Sequence, residues 1–342
     1  MHSSGRRVRV ITHAVCRSTS ILCAIMLLSL HPRAFSFHPP SLSLSTSQRD
    51  LNPKFRDCKP SLRAGKFVKR EHRFHFDKVQ LSAYLNAISN HEIDGWLTRT
   101  NIYMVAYLTQ VQHHISVYGS VGEIGVHHGK FTIPIVGFAD SEERAIAVDL
   151  FSMQDQNTDG SGNGDEQVFK RNMERFSLSA ATQVLEKNSY SLTHKDFSSY
   201  PAFRLISVDG GHTHRLTLND LLLTCSLVRD GAIVILDDFV NMGWLGVVSG
   251  AFEFMNSQQT LVPFLWLSNK LYFTTVSTHD KYVSSLIQKS KKLCENQASE
   301  LARRREIFPT KTCVVDCNEP GVADVCNLMM NETATERLLR AS

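Results

Sequence analysis

The sequence has no excess of basic residues once its first 49 residues are set aside. Those residues contain six arginines and no acid, so that 31 Lys and Arg face 33 Asp and Glu in the rest of the chain. A nucleic-acid partner usually requires a basic surface, and none is therefore expected here. The eight cysteines also lack the C-x-x-C pairs of zinc sites and the histidine pairs that accompany them, which argues against a cysteine-based zinc centre.

The sequence also lacks an apolar run long enough to cross a membrane. Its longest, residues 21–30, is ten residues long, whereas a spanning helix needs roughly 18 or more. Arginines precede this run and small residues follow it, which predicts a signal peptide or short anchor over residues 1–35. Residues 36–70 are rich in Ser and contain two acids, as in a disordered linker or a transit peptide.

These two segments predict where the protein is delivered. Entry into the secretory pathway is expected, with membrane contact only through the N-terminal segment. The junction Ala34-Phe35 resembles the cleavage site of plastid presequences in algae with complex plastids, so a plastid and an endomembrane lumen are both open. Cysteines in the C-terminal part of the chain would form disulfides in an oxidising lumen and remain thiols in a plastid stroma.

The remainder of the chain predicts one large α/β domain. With 42% hydrophobic residues, the chain has enough apolar side chains for a sizeable core. Residues 71–118 have helical apolar spacing and are expected to cover the sheet edge, so the domain is placed at 71–280. Residues 281–342 are expected to form a helical and irregular tail.

A glycine turn within residues 119–150 organises this domain. An apolar strand ends at Glu123-Ile124-Gly125, Gly129 follows four residues later, and a second apolar strand ends at Asp149, 20 residues after Gly129. Glycines at such a turn let the backbone approach a ligand. An acid at this distance is placed to accept hydrogen bonds from ribose hydroxyls. The pattern predicts a nucleotide-type binding site.

The loop that follows Asp149 has two interpretations. Residues 155–166 place Asp, Asn, Ser and Glu at the positions of an EF-hand calcium loop. However, a strand precedes this loop instead of a helix, and Gly162 occupies a position that is normally apolar. The alternative is a flexible lid beside the ligand pocket, which ends where Asp165 caps the helix 167–176.

Two further apolar strands end in acids. Residues 203–208 lead into Asp209-Gly-Gly-His212, and residues 231–236 lead into Asp237-Asp238. Carboxylates that converge at one edge of a parallel sheet repel each other unless a cation or protons neutralise them. A weaker third strand is predicted around 190–193, just before Asp196, and a hairpin is predicted over 261–276.

These motifs together resemble the class I S-adenosylmethionine-dependent methyltransferases, the family that includes the macrocin-type sugar O-methyltransferases. The resemblance covers about residues 95–277 and implies a Rossmann-like, mostly parallel seven-stranded sheet with the last strand antiparallel and helices on both faces. It implies S-adenosylmethionine as cofactor, and Mg²⁺ bound by the acids at the strand ends. The implied cofactor residues are Glu123, Gly125, Gly129, Asp149 and Asp196; the implied metal ligands are Asp209, Asp237 and Asp238; and the implied base is His212.

Three functional hypotheses follow. The first is a metal-assisted O-methyltransferase that acts on a hydroxylated small molecule or sugar. The second is a Golgi-type glycosyltransferase in which Asp237-Asp238 would hold a metal and a nucleotide sugar. The third is a noncatalytic binding protein that retains the methyltransferase fold, which two departures from the family pattern leave open. His127 and His128 stand between the motif glycines, and Gly211 takes a position where this family often has an acid.

Overall fold

The computed structural model describes Cys58, residues 73–289, Thr310 and residues 312–315. In this part of the chain, helices alternate with strands. The helices are α1 (Lys78–Ser89), α2 (Arg99–His114), α3 (Thr132–Gly137), α4 (Glu166–Arg175), α5 (His214–Leu227), α6 (Leu245–Ser257) and α7 (His279–Lys289). The strands are β1 (Ser120–Ile124), β2 (Ala145–Asp149), β3 (Thr182–Glu186), β4 (Phe203–Val208), β5 (Val228–Leu236), β6 (Leu261–Leu267), β7 (Lys270–Thr275) and β8 (Cys313–Val315).

The strands form one sheet in the order β3-β2-β1-β4-β5-β7-β6-β8. Strands β1 to β5 pair in parallel, and β7 is antiparallel to both of its neighbours. This arrangement confirms the predicted Rossmann-like methyltransferase sheet. The short strand β8 adds an eighth member by pairing in parallel with β6. The chain reverses its direction of winding between β1 and β4, and in open α/β sheets the ligand crevice lies outside the carboxyl ends of the strands at this point.

Helices cover both faces of the sheet, as predicted. In β5, Ile233 and Ile235 contribute to the core under α1 to α4 and α7, whereas Val234 and Leu236 contribute to the core under α5 and α6. This alternation is the two-residue period of a strand buried on both faces. The predicted position of the helical cover was wrong. Helix α2 lies on a face of the sheet, where the Gln112 side chain donates a hydrogen bond of 2.7 Å to the carbonyl of Arg204 in β4.

One ion pair is completely buried beneath α2. Arg204 projects from β4, and its guanidinium donates to the carboxylate of Glu143 at 2.7 and 2.8 Å. The side chains of both residues are 0% exposed. The Gln112 amide oxygen accepts another hydrogen bond from Arg204 at 2.7 Å. Charges removed from water in this way need such complete pairing, because an unpaired charge would carry a large desolvation cost.

The third strand differs from its prediction. The sequence pattern suggested a strand around 190–193, but β3 is Thr182–Glu186, and residues 189–191 form a single 3₁₀ turn that Asn188 caps. Strand β3 lies at the edge of the sheet, and its residues are half-buried or exposed. Its apolar pattern is therefore weaker than that of the central strands, whose side chains are buried on both faces.

A disulfide joins Cys58 to Cys225 of α5. Cys58 belongs to the segment predicted as a linker or transit peptide, so at least this residue is attached to the folded domain. Three predicted features lie outside the described residues: the signal segment 1–35, the rest of segment 36–70, and most of the helical and irregular tail 281–342. Among the helices that the structure does describe, none is long and apolar enough to cross a bilayer.

Candidate active site

The glycine turn lies directly against the end of β4. Gly125 has a φ of 85°, and a Cβ there would lie 1.7 Å from the carbonyl oxygen of Asp209. Gly129 has a φ of 86°, and a Cβ there would lie 3.1 Å from the ring of Phe169 in α4. Both positions combine a left-handed backbone with little space, which only glycine tolerates without strain. The turn therefore brings the motif backbone next to the acid that ends β4.

Asp149 lies at the end of β2, as predicted, and lines the same cavity as the glycine turn. Its carboxylate accepts hydrogen bonds from the backbone N–H groups of His127 (2.8 Å) and Phe151 (3.0 Å). Each carboxylate oxygen can accept more than one hydrogen bond, so these contacts orient the group and still leave acceptor capacity toward the cavity.

Glu123 is buried in β1 and lines the floor of the cavity. The hydroxyl of Thr132 donates a hydrogen bond of 2.5 Å to its carboxyl group. Burial is the largest influence on this group and raises the pKa of Glu123 to about 8, although the Thr132 hydroxyl favours the ionised form. Glu123 is therefore mostly protonated at neutral pH, and its side chain is able to donate a hydrogen bond.

Asp196 does not line the cavity with the other predicted cofactor residues. Its carboxylate pairs with Lys187 at 2.7 Å and accepts a hydrogen bond from the backbone of Thr193 at 2.7 Å. The cavity is lined on this side by the residues immediately after β3, which are Lys187, Asn188 and Ser189. The misplaced third strand explains why the sequence analysis missed them.

Asp209 and Asp238 come together with His212 at the ends of β4 and β5. Nε2 of His212 lies 3.2 Å from Oδ2 of Asp238 and 3.7 Å from Oδ1 of Asp209. One potential ligand atom from each of these three residues lies within 4.8 Å of the others. The predicted convergence of acids is therefore present, and the histidine lies among them.

Asp237 points away from this group. Its buried carboxylate pairs with Lys270 of β7 and accepts hydrogen bonds of 2.8 Å from Asn269 and from the backbone N–H of Asp238. Asp238 has a left-handed φ of 55°, so the chain turns sharply between the two carboxylates. Burial raises the pKa of Asp237 to about 7 against the attraction of Lys270. The sequence analysis did not identify Lys270 as the partner of Asp237. The available signal was a lysine at the first position of an apolar strand, because a buried lysine needs an acid as its partner.

The loop after β2 closes over His212. Asp159 accepts a hydrogen bond of 2.5 Å from the backbone N–H of His212, and its carboxylate lies 3.3 Å from Nδ1 of that ring. The ring of Trp244 stacks on the other side, with a centroid distance of 4.6 Å. Burial alone would lower the pKa of His212, but its contacts with the three surrounding carboxylates raise that pKa to about 11. The three carboxylates around the ring therefore favour the protonated form of His212.

The calcium alternative for this loop receives no support from the geometry. Asp155 is exposed, Asp165 caps α4, and Glu166 pairs with Lys170 at 2.8 Å. Within the described residues, the clusters of His, Cys, Asp and Glu that could hold a metal include none of these acids. The lid interpretation agrees with the contact between Asp159 and His212.

The cavity that these groups share has a volume of about 490 Å³. One side is formed by the glycine turn and Asp149, and the other by Asp209, His212 and Asp238. A volume of this size accommodates a small organic ligand. Glu123, His212 and Asp238, whose pKa values are shifted, line its wall.

Comparison with known proteins agrees with this arrangement. A family model described as "Methyltransferase domain" matches residues 123–239, which extend from the glycine turn to the second acid-ended strand. Residues 123–239 match a methyltransferase domain. The match confirms the resemblance predicted from the sequence and the predicted class of enzyme. No curated protein matches the chain.

Several solved structures are similar to this chain. An O-methyltransferase from Bacillus cereus in complex with SAH is 16% identical, covers 58% of this chain and 90% of its own, and has a TM-score of 0.44. The O-methyltransferase TomG from Streptomyces achromogenes is 12% identical, covers 58% and 90%, and has a TM-score of 0.40. The calicheamicin methyltransferase CalS11 is 13% identical, covers 62% and 99%, and has a TM-score of 0.39.

Proposed function

We propose that this protein is an S-adenosylmethionine-dependent O-methyltransferase that uses a divalent cation, with Mg²⁺ the expected ion, and acts on a hydroxylated small molecule or sugar. The observation that carries the proposal is that one cavity joins a glycine turn and Asp149 on one side to Asp209, His212 and Asp238 on the other. A methyl donor and an oxygen nucleophile need such adjoining subsites.

The cofactor subsite is assigned to the glycine turn, Glu123 and Asp149. The backbone at Gly125 lines the cavity beside Asp149, and Asp149 retains acceptor capacity for ribose hydroxyls. The protonated Glu123 lies below the turn and can donate a hydrogen bond into the cavity. We assign the far wall of this subsite to Lys187, Asn188 and Ser189, and no longer to Asp196.

The donor set fits a hard divalent cation. Asp209 and Asp238 supply carboxylate oxygens, which Mg²⁺ prefers, and Asp159 adds a third carboxylate that contacts His212. These carboxylates already surround a positive charge, that of the His212 imidazolium. When bound, a divalent cation would lower the pKa of the acceptor hydroxyl and hold its oxygen toward the methyl donor.

The residues of the chain then have distinct tasks. Asp209 and Asp238 orient the acceptor side of the cavity. Lys270 pairs with Asp237 and so holds this carboxylate apart from the cluster of Asp209, His212 and Asp238. If positive charge were bound beside it, His212 would favour its neutral form and release its proton to solvent, because like charges repel. The neutral imidazole could then accept the proton of the hydroxyl group.

Aromatic side chains line the part of the cavity that would receive the acceptor. Trp96 is 80% exposed and lies on the cavity wall, as does Trp244. Asn241 also lines the cavity, and its amide donates a hydrogen bond of 3.0 Å to Asp238. Indole faces pack against flat or ring-shaped molecules, which supports a cyclic hydroxylated acceptor such as a phenol or a sugar.

Calorimetric titration tests the two halves of the site separately. S-adenosylhomocysteine should bind the wild-type protein, and Asp149→Ala should weaken this binding about tenfold or more through the loss of charged hydrogen bonds. Asp238→Asn should weaken Mg²⁺ binding by a similar factor and abolish Mg²⁺-dependent methyl transfer, while leaving S-adenosylhomocysteine binding within about threefold.

Asp155→Asn is the matched control, because Asp155 is an exposed acid of the lid that lies outside the cluster. It should change neither affinity. No S-adenosylhomocysteine binding by folded wild-type protein would refute the proposal, and binding of a nucleotide sugar in its place would favour the glycosyltransferase. Binding of both ligands without turnover on a broad panel of acceptors would favour the noncatalytic alternative.

We also propose that the protein enters the secretory pathway and reaches an oxidising compartment. The Cys58–Cys225 disulfide supports this, because such bonds persist in oxidising compartments and are rare in reducing ones. Mass spectrometry of the protein purified from its source, under alkylating conditions, would test it. Free thiols at both positions would instead favour the stroma of a plastid.

A further inference from the structure

A second cluster of metal-ligating side chains lies outside the acidic site. Asp94, in the connection between α1 and α2, meets His127 and His128 of the glycine turn, and one potential ligand atom from each lies within 4.8 Å of the others. We call these three residues the His-His-Asp cluster. None of them takes part in the function proposed above through its side chain.

The backbone holds both histidines in place. His127 has a left-handed φ of 48°, and its N–H donates to Asp149. The carbonyl of His128 accepts a hydrogen bond of 2.8 Å from Asn172 of α4. A bulky residue in a left-handed conformation is strained, and such strain is found most often at functional sites. The two imidazole rings are consequently fixed with their centroids 3.8 Å apart.

Both histidines have a ring nitrogen without a hydrogen-bond partner. Nδ1 of His127 and Nδ1 of His128 are buried from solvent and make no hydrogen bond in the described structure. The nearest carboxylate oxygen to Nδ1 of His128 is Oδ2 of Asp94, at 3.7 Å, which is too far for a hydrogen bond. A buried nitrogen without a hydrogen-bond partner is unfavourable, and a metal ion would supply the missing partner for both.

Asp94 can complete the set. Its Oδ1 accepts a hydrogen bond of 2.9 Å from the N–H of Gly95, so its Oδ2 remains available. The Asp94 side chain is 79% exposed and can move toward the imidazoles. Burial and the neighbouring His128 both lower the pKa of His127, and the neutral imidazole is the form that binds metals. Lys130, which donates to the carbonyl of Gly95 at 2.7 Å, adds a positive charge that moderates the affinity.

We propose that Asp94, His127 and His128 bind a divalent transition-metal ion such as Zn²⁺. Two imidazole nitrogens and one carboxylate are a common zinc ligand set and are poorly matched to Mg²⁺. The site therefore differs in preference from the oxygen-rich group at Asp209 and Asp238. A bound ion would link the connection between α1 and α2 to the glycine turn. It would thereby restrict the position of Trp96, which belongs to this connection and lines the cavity.

Zinc titration of the full chain by calorimetry tests this proposal. The measurement is made in the Asp238→Asn background with Mg²⁺ present, so that the acidic site contributes as little as possible. One equivalent of Zn²⁺ should bind, and the melting temperature should rise with Zn²⁺ concentration. Asp94→Asn and His128→Ala should each weaken binding about tenfold or more, as loss of one ligand does.

The controls separate this site from its surroundings. Asp94→Asn changes an exposed side chain and should leave the circular dichroism spectrum unaltered, so a loss of zinc affinity in this variant reports on ligation and not on folding. His114→Ala removes an exposed histidine at the end of α2 and should bind Zn²⁺ as the parent does. Equal zinc affinity in the parent, Asp94→Asn and His128→Ala would overturn the proposal, whatever the result of the S-adenosylhomocysteine titration.

Discussion

Replacement of Arg204 by methionine should strongly destabilise the protein. Arg204 and Glu143 are both 0% exposed, so the variant leaves a carboxylate in the interior without its counter-ion. The remaining donors to Glu143 are the backbone N–H groups of Gly119 at 2.9 Å and Asp140 at 3.0 Å. Breaking a buried ion pair by removing one partner costs about 3–5 kcal/mol, and we expect the free energy of unfolding to fall by this amount.

Urea unfolding at neutral pH, followed by circular dichroism, measures the effect. The double variant Arg204→Met/Glu143→Gln should recover most of the loss, because a pair replaced by neutral groups leaves no buried charge. Arg175→Met is a matched control: its ion pair with Glu92 is 45% and 38% exposed, and such surface pairs contribute about 0–1 kcal/mol. An Arg204→Met loss below about 1 kcal/mol, or a double variant no more stable than the single one, would contradict this account of the pair.

Three other predictions concern the site and its supports. Between pH 4.5 and 8, the free energy of unfolding of the wild-type protein should fall by up to about 5 kcal/mol, because folding raises the pKa of Glu123 from 4.5 to about 8. Glu123→Gln should not show this fall, and urea titrations of the metal-free protein across this pH range would test it. Gly125→Ala should abolish S-adenosylhomocysteine binding in calorimetry, whereas Gly160→Ala, which has a similar φ of 69° but no atom within 4 Å of the added Cβ, should not. Reduction of the Cys58–Cys225 disulfide should lower the free energy of unfolding by about 2–5 kcal/mol, measured by urea unfolding with and without dithiothreitol.

The features predicted correctly from the sequence are those with a local signal. Gly125 and Asp209 each follow a buried strand, and Asp149 ends one. Strands that are buried on both faces are rich in apolar residues and have few polar ones. The end of each strand then marks the carboxyl edge of the sheet, where ligands bind. The convergence of Asp209 with Asp238 follows from this rule without any knowledge of side-chain conformations.

The features that were missed depend on contacts between distant parts of the chain. The direction of Asp237 is set by the left-handed backbone at Asp238 and by Lys270, a residue 33 positions away. Asp94 reaches the two histidines from a loop that has no motif of its own. Edge strand β3 is half-exposed, so its apolar pattern is weak and the sequence analysis predicted it at the wrong residues. The wall of the cofactor subsite that follows β3 was therefore predicted at the wrong residues too.

The Cys58–Cys225 disulfide has a consequence for how the protein responds to proteolysis. The two cysteines are 167 positions apart in the sequence. The disulfide therefore closes a covalent ring that contains the glycine turn, Asp149, the lid and His212. A protease that cuts the lid once opens the ring without producing two molecules, because the fragments on either side of the cut stay joined through sulfur. The nicked protein would run as a single band on a non-reducing gel, and both halves of the cavity would remain in one particle until a reductant separated them.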